Sequence, residues 1–226
     1  MIVKIKQIHS NVKQQYDIES DNFYFKGVLG NLSRLQTITM SGADTVIKGT
    51  YKISPWYNYI PLLHLFGITE KVRNFLLYKN ENFCGSVMLL KQGIYKSCYR
   101  MELSDGKTFC FYCRSKGSFN YVSVYYDNIQ IALIETYLCV TDFKYTHKLY
   151  ICDSFSAFAD FLSFFVLYYA GFTFTKRFHM QVGSTYAKSW SVSRYNSKYD
   201  EKWREKNFPD DNFFGKTSLS VDKEKI

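Results

Sequence analysis

Residues Ser154–Gly171 (SFSAFADFLSFFVLYYAG) form a long apolar run without strand alternation, and such a run reads as a helix. Asp153 before it suits an N-cap and Gly171 at its end suits a C′ position. Phe155, Phe158, Phe161, Leu162, Phe164, Phe165, Val166 and Tyr168 point in nearly every direction around such a helix. A helix apolar all round must leave water, either inside protein or across a membrane. Its polar residues before the tyrosine pair, Ser156, Asp160 and Ser163, fall in one narrow stripe at about 100° per residue. A carboxylate at mid-helix costs roughly 3 kcal/mol facing lipid, and the run is shorter than the roughly 20 residues a span needs. The expectation is therefore a helix over 154–170 buried inside the protein. Asp160 is its structural buried polar group, meeting an interior cation or backbone N–H. The alternative is a membrane protein anchored through residues 154–174.

What could enclose such a helix is written upstream. Gly, Asn and Asp turn signals recur at short intervals from residue 21 to 153, between runs of Val, Ile, Tyr and Phe. That is the pattern of an all-β sandwich or barrel. Strands are expected at 2–8, 22–29, 33–40, 45–53, 72–79, 84–91, 94–103, 107–115, 118–126, 129–140 and 145–152. Sequential hairpins with so many strands favour closure, because closure removes the unpaired edges. The fold class expected is mainly β: a closed antiparallel barrel of about 10–12 strands with one hydrophobic central helix near the C-terminus. Ser54–Glu70 lacks alternation and holds two of the three prolines, so it reads as a long excursion between strands.

The hairpin Ile94–Arg114 (IYKSCYRMELSDGKTFCFYCR) fixes its own register. A two-residue Asp105-Gly106 turn would mix apolar and polar faces. A three-residue loop, Ser104-Asp105-Gly106 with Gly106 left-handed, instead pairs Met101 with Phe109 and Tyr99 with Phe111. Cys110 and Cys113 then fall on opposite faces, so this C-x-x-C is neither a redox pair nor a metal clip. Lys96, Arg100 and Arg114 alternate outward on the same hairpin, with Lys107 and Lys116 near its ends. They are the candidate anion-binding residues. Asn80–Asn82 and Asp127-Asn128 supply two further tight turns.

Lysine and arginine number 29 against 20 acidic residues, a net charge of +9. The excess is spread along the chain and forms no basic arm, so nucleic acid is not the expected partner. A diffuse positive field favours anionic phospholipid or an acidic protein partner. Met1–Tyr16 has no apolar run of signal-peptide length, so a cytoplasmic location is expected, peripheral at a membrane at most. Its cysteines are then reduced thiols. Cys84, Cys98, Cys139 and Cys152 stand alone, and no second C-x-x-C exists to complete a zinc site. His9, His64, His147 and His179 lack ligand spacing, and neither G-x-S-x-G nor a Gly-rich phosphate loop is present. No catalytic, metal or cofactor-binding residue is expected, and the chain reads as non-enzymatic.

Three segments carry a likeness to a known family: Asn22–Ser54 (NFYFKGVLGNLSRLQTITMSGADTVIKGTYKIS), the hairpins at 72–103, and apolar Phe155–Tyr169. Their order resembles the tubby C-terminal-like superfamily, which includes phospholipid scramblases and LURP-one-related proteins. The resemblance implies a twelve-stranded barrel threaded by such a helix, and binding rather than catalysis, with lipid among the ligands. It transfers no binding residue to this chain. The Lys-, Asn-, Tyr- and Phe-rich composition is similar to that encoded by AT-rich bacterial genomes. Residues 1–177 are the expected barrel. Residues 178–226 form an aromatic-basic extension with a last strand and a short helix outside the barrel, frayed over Thr217–Ile226.

Overall fold

The computed structural model describes residues 1–9, 13–30, 37–51, 70–92, 96–116, 119–138, 144–173, 198, 200 and 202–211. Alternation sets the architecture. Val3 and Ile5 on β1 (Ile2–His9) are fully buried, while Lys4 and Lys6 between them are exposed. The same two-sided pattern runs through β2 (Gln14–Ser20), β3 (Phe23–Leu29), β4 (Thr37–Ser41) and β5 (Val46–Tyr51). The wall continues with β6 (Glu70–Lys79), β7 (Asn82–Gln92), β8 (Lys96–Leu103) and β9 (Thr108–Lys116). It is completed by β10 (Phe119–Tyr126), β11 (Ile129–Leu138) and β12 (Tyr145–Ile151). Each strand pairs antiparallel with its sequence neighbours, and β1 pairs with β12 from Ile2↔Tyr150 to Lys6↔Thr146. The result is a closed twelve-stranded barrel.

Turn chemistry holds where it was legible. Asn80, Glu81, Asp127 and Asn128 all have positive φ, as two-residue hairpin turns require. Gly106 has φ +87°, the Gly106 N–H donates to Leu103 O, and the strands pair Tyr99↔Phe111 and Met101↔Phe109. One strand was missed: β2, whose inward set of Gln14, Tyr16 and Ile18 is too sparse in apolar residues to announce itself. The expected excursion over 54–70 lies outside the described residues except for Glu70, which opens β6, and so do residues 174–177 and the extension over 178–197, 199, 201 and 212–226, with the last strand expected in it.

A barrel of this size has more lumen than its own wall side chains fill, since about eight strands already suffice for that. Here a helix fills it. After β12 the chain makes a 3-10 turn, Asp153–Phe158, over one rim and enters the lumen as α1 (Ala159–Thr173). Leu162, Phe164, Phe165, Val166, Leu167, Tyr168 and Ala170 are all fully buried. Phe165 stacks on Phe111 with ring centroids 3.5 Å apart, and Tyr99 meets Phe165, Tyr168 and Tyr169 edge-on. On the other side, wall glycines admit the helix. A Cβ on Gly27 would lie 2.6 Å from Leu167 Cδ1, and one on Gly49 would lie 2.4 Å from Phe164 Cζ.

Gly49→Ala is therefore expected to destabilise the barrel by about 1–3 kcal/mol, the usual cost of overpacking. Neither Phe164 nor Phe75, 3.1 Å from the same Cβ, has exposed surface into which to retreat. Chemical denaturation of the two proteins side by side measures it. Equal midpoints would mean that the helix can shift within the lumen.

The helix ends differ from expectation. Cys152, not Asp153, occupies the cap position, and no side chain bonds there. The Asp153 carboxylate instead receives the Met1 amine at 2.9 Å, which holds its carboxyl below the usual range. Gly171 lies inside α1, buried, and the helix runs on to Thr173. Inside the packed lumen, continuing the helix pairs backbone groups that burial takes out of bulk water. The polar stripe is also divided. Ser156 sits exposed on the 3-10 turn, Asp160 is largely buried near the rim, and Ser163 is fully buried.

Candidate functional site

The outer wall of β8–β9 holds the predicted cationic residues. Their ladder runs from Glu102↔Thr108 to Tyr99↔Phe111. Lys96 lies three residues beyond it on β8 and Arg114 three beyond it on β9, at the same end, and Arg114 takes an outward position. Arg100 is opposite Cys110, and its Nη1 is 3.4 Å from Glu102 Oε1; both side chains are 38% exposed. Glu102 thus offsets part of the charge of Arg100. Lys107 is elsewhere, paired with Asp105 at the turn and 5.4 Å from the centre of the Phe158 ring. The side chains of Lys96 and Lys116 lie outside the described residues.

Asp160 has a partner, but at the rim. Lys79, the last residue of β6, places Nζ 2.7 Å from Asp160 Oδ2 and 5.3 Å from the centre of the Phe161 ring. Lys79 is 40% exposed and Asp160 13%, so the pair seals the mouth and is not a charge pair deep in the lumen.

A more deeply buried polar group lies toward the opposite end. His147 on β12 is fully buried, with Nδ1 2.7 Å from Thr136 Oγ1 and the Tyr16 ring centred 6.2 Å away. Burial drives its pKa down to about 3, so the imidazole is neutral. Beside it the Tyr16 hydroxyl donates to Gln14 Oε1 at 3.0 Å, and the Tyr145 N–H donates to Gln7 Oε1 at 3.1 Å.

Cys113 faces the lumen, hydrogen-bonded to Tyr169, and burial pushes its thiol up to about 12. Cys110 faces outward beside Arg100, so the C-x-x-C is divided between the two faces as its spacing implied. Five cysteines are free thiols among the described residues, and Cys139 lies outside them. No group of three or more His, Cys, Asp or Glu able to hold a metal ion exists among the described residues.

The sequence reading did not foresee a polar cluster on the outer wall of β11–β12. Glu135 and Lys148 are cross-strand neighbours there, with Tyr150 two residues along. Residues 202–211, containing the short helix α2 (Trp203–Asn207), lie over them. Asp211 receives Lys148 Nζ at 2.9 Å and the Tyr150 hydroxyl at 2.6 Å, and Arg204 Nε is 3.5 Å from Glu135 Oε1. Burial raises the Glu135 carboxyl, only partly countered by Arg204. Burial also works to raise Asp211, but the Tyr150 and Lys148 hydrogen bonds outweigh it and hold that carboxyl below its usual range. Beneath α2, Trp203 packs with Tyr121, Leu133 and Tyr150. The partners of Glu135 and Lys148 on this wall are more than fifty residues downstream, where no local pattern could name them. Compared with family models, with curated proteins and with solved structures, the chain matches none.

Proposed function

We propose that this protein is a non-catalytic binding protein of the tubby-like kind that docks on anionic phospholipid through the outer wall of β8–β9, peripherally and from the cytoplasm. One observation carries the reading. The lumen is occupied by the chain's own helix, and Arg100 and Arg114 take outward positions toward one end of one hairpin, with Lys96 on the same strand as Arg100. The twelve-stranded architecture and the net charge of +9 support it.

Co-sedimentation with vesicles tests the proposal. Binding is expected to phosphatidylserine- or phosphoinositide-containing vesicles, to be absent with phosphatidylcholine alone, and to weaken as salt screens it. Each basic residue near such a surface contributes about 1 kcal/mol. The variant Lys96→Ser/Arg100→Ser/Arg114→Ser is thus expected to lose roughly 100-fold in affinity. Unchanged binding by that variant would overturn the assignment, and no binding by the parent would direct attention to an acidic protein partner. The segment 153–173 is long and apolar enough to cross a membrane, with mean hydropathy 1.4. Carbonate washing distinguishes the two modes: peripheral docking is released, whereas an anchor through 154–174 is retained.

A further inference from the structure

We propose that the outer face of β10–β12 is a peptide-docking surface, occupied in cis by the chain's own residues 202–211 and open to a segment of the same chemistry from a partner. That chemistry is a Trp-Arg pair followed by a Phe and then a carboxylate, Trp203, Arg204, Phe208 and Asp211 in this chain. The face lies outside the barrel, so its burial depends on what covers it. Tyr150 is 0% exposed, Leu133 3% and Tyr121 6%, although all three occupy outward positions on their strands. What the segment supplies is almost wholly side-chain recognition. Trp203 packs on the aromatic floor and its Nε1 donates to Gln130 O at 3.3 Å. Phe208 lies against Tyr150 with ring centroids 5.2 Å apart. Arg204 reaches Glu135, and Asp211 takes both Lys148 and Tyr150.

The ionic part of the face is bipolar, with an acceptor at Glu135 and donors at Lys148 and Tyr150, so it selects a cation and an anion at a set separation. The segment brings both and holds them apart, with Arg204 Nη1 donating to the Asp211 carbonyl at 3.1 Å. It is not packed on every side. A cleft of about 620 Å³ separates its end from β1–β2, lined by Met1, Lys4 and Glu19 on one bank and Phe208 and Asp211 on the other. A docked segment open along one bank can be peeled and replaced from that bank, whereas the lumen helix cannot. This surface is separate from the cationic wall of β8–β9, and its test contains no lipid.

A fluorescent peptide of residues 202–211 (KWREKNFPDD), titrated into the full-length protein and followed by anisotropy, tests the inference. A tethered segment competes at an effective concentration of about 1 mM, so the parent protein should bind the peptide weakly. Trp203→Ala/Asp211→Ala in the full chain weakens the resident segment and is expected to raise peptide affinity at least about ten-fold. Adding Lys148→Met on the barrel side should abolish that gain. Asp211→Asn alone, which leaves the aromatic packing in place, should show a smaller gain in the same direction and serves if the double variant does not fold. Failure of every loosened variant to bind the peptide would overturn the proposal. So would equal binding by parent and variants, or a gain that survives Lys148→Met.

Discussion

Replacing Leu162 with Asp is expected to unfold the entire barrel. Leu162 is fully buried on the helix that fills the lumen. The substitution removes a packed side chain, at about 2–5 kcal/mol, and leaves a carboxylate whose isolation inside protein costs several more. Together these approach the whole stability of an ordinary domain, about 5–15 kcal/mol. The wall cannot keep its shape alone, because Tyr99, Phe111 and Phe75 make their ring contacts with helix side chains. Loss of near-ultraviolet circular dichroism and of a cooperative melt is the expected readout. A variant that stays folded and soluble would mean that the helix is not the keystone of the lumen.

Acid is expected to destabilise the protein through His147 well before the carboxylates of ordinary pKa titrate. The imidazole has a usual pKa near 6.5 and is held near 3 in the folded protein. Below pH 6.5 the unfolded chain therefore binds a proton that the folded chain refuses. Stability is fully present above that value and falls by about 1.4 kcal/mol per pH unit down to the folded pKa. Between pH 6.5 and 4.5 the loss is about 2–3 kcal/mol. Glu135, whose carboxyl is raised by burial, opposes this trend, since its folded form holds a proton more readily. Urea melts across that pH range on the parent and on His147→Gln separate the two groups, because the variant keeps Glu135 and loses the imidazole. Parallel pH profiles for the two proteins would remove His147 from the account.

The legible parts of this fold are those set by neighbours in sequence. Gly106 settles the β8–β9 register because only a left-handed residue in a three-residue loop keeps Tyr99, Met101, Phe109 and Phe111 on one face. The all-round apolar character of Phe155–Tyr168 implied enclosure, and the strand count implied a barrel able to provide it. Illegible were features fixed by distant contacts. β2 carries only Tyr16 and Ile18 as inward apolar residues, and what holds it is its pairing with both β1 and β3. Gly171 reads as a helix stop in water but continues the helix inside the packed lumen. Of the candidate site, the outward placement of Arg100 followed from alternation. Its ion pair with Glu102, and the whole Glu135–Lys148–Tyr150–Arg204–Asp211 cluster, depend on geometry that alternation alone does not give.

Barrel closure has a kinetic consequence. The seam joins residues 150 apart in sequence, as the bond from the Met1 amine to Ile151 O shows. At about 5–20 residues per second, a ribosome takes roughly 7–30 s to supply the second edge after the first has emerged. Throughout that wait β1 has β2 along one edge, but its other edge is open and its apolar face has no helix to cover it. Contacts of such long range also make the search for closure slow. Lys4 and Lys6, on the face of β1 turned away from the lumen, contribute the charge by which open edges resist pairing with other chains. These two lysines thus act at a stage when the closed barrel does not yet exist.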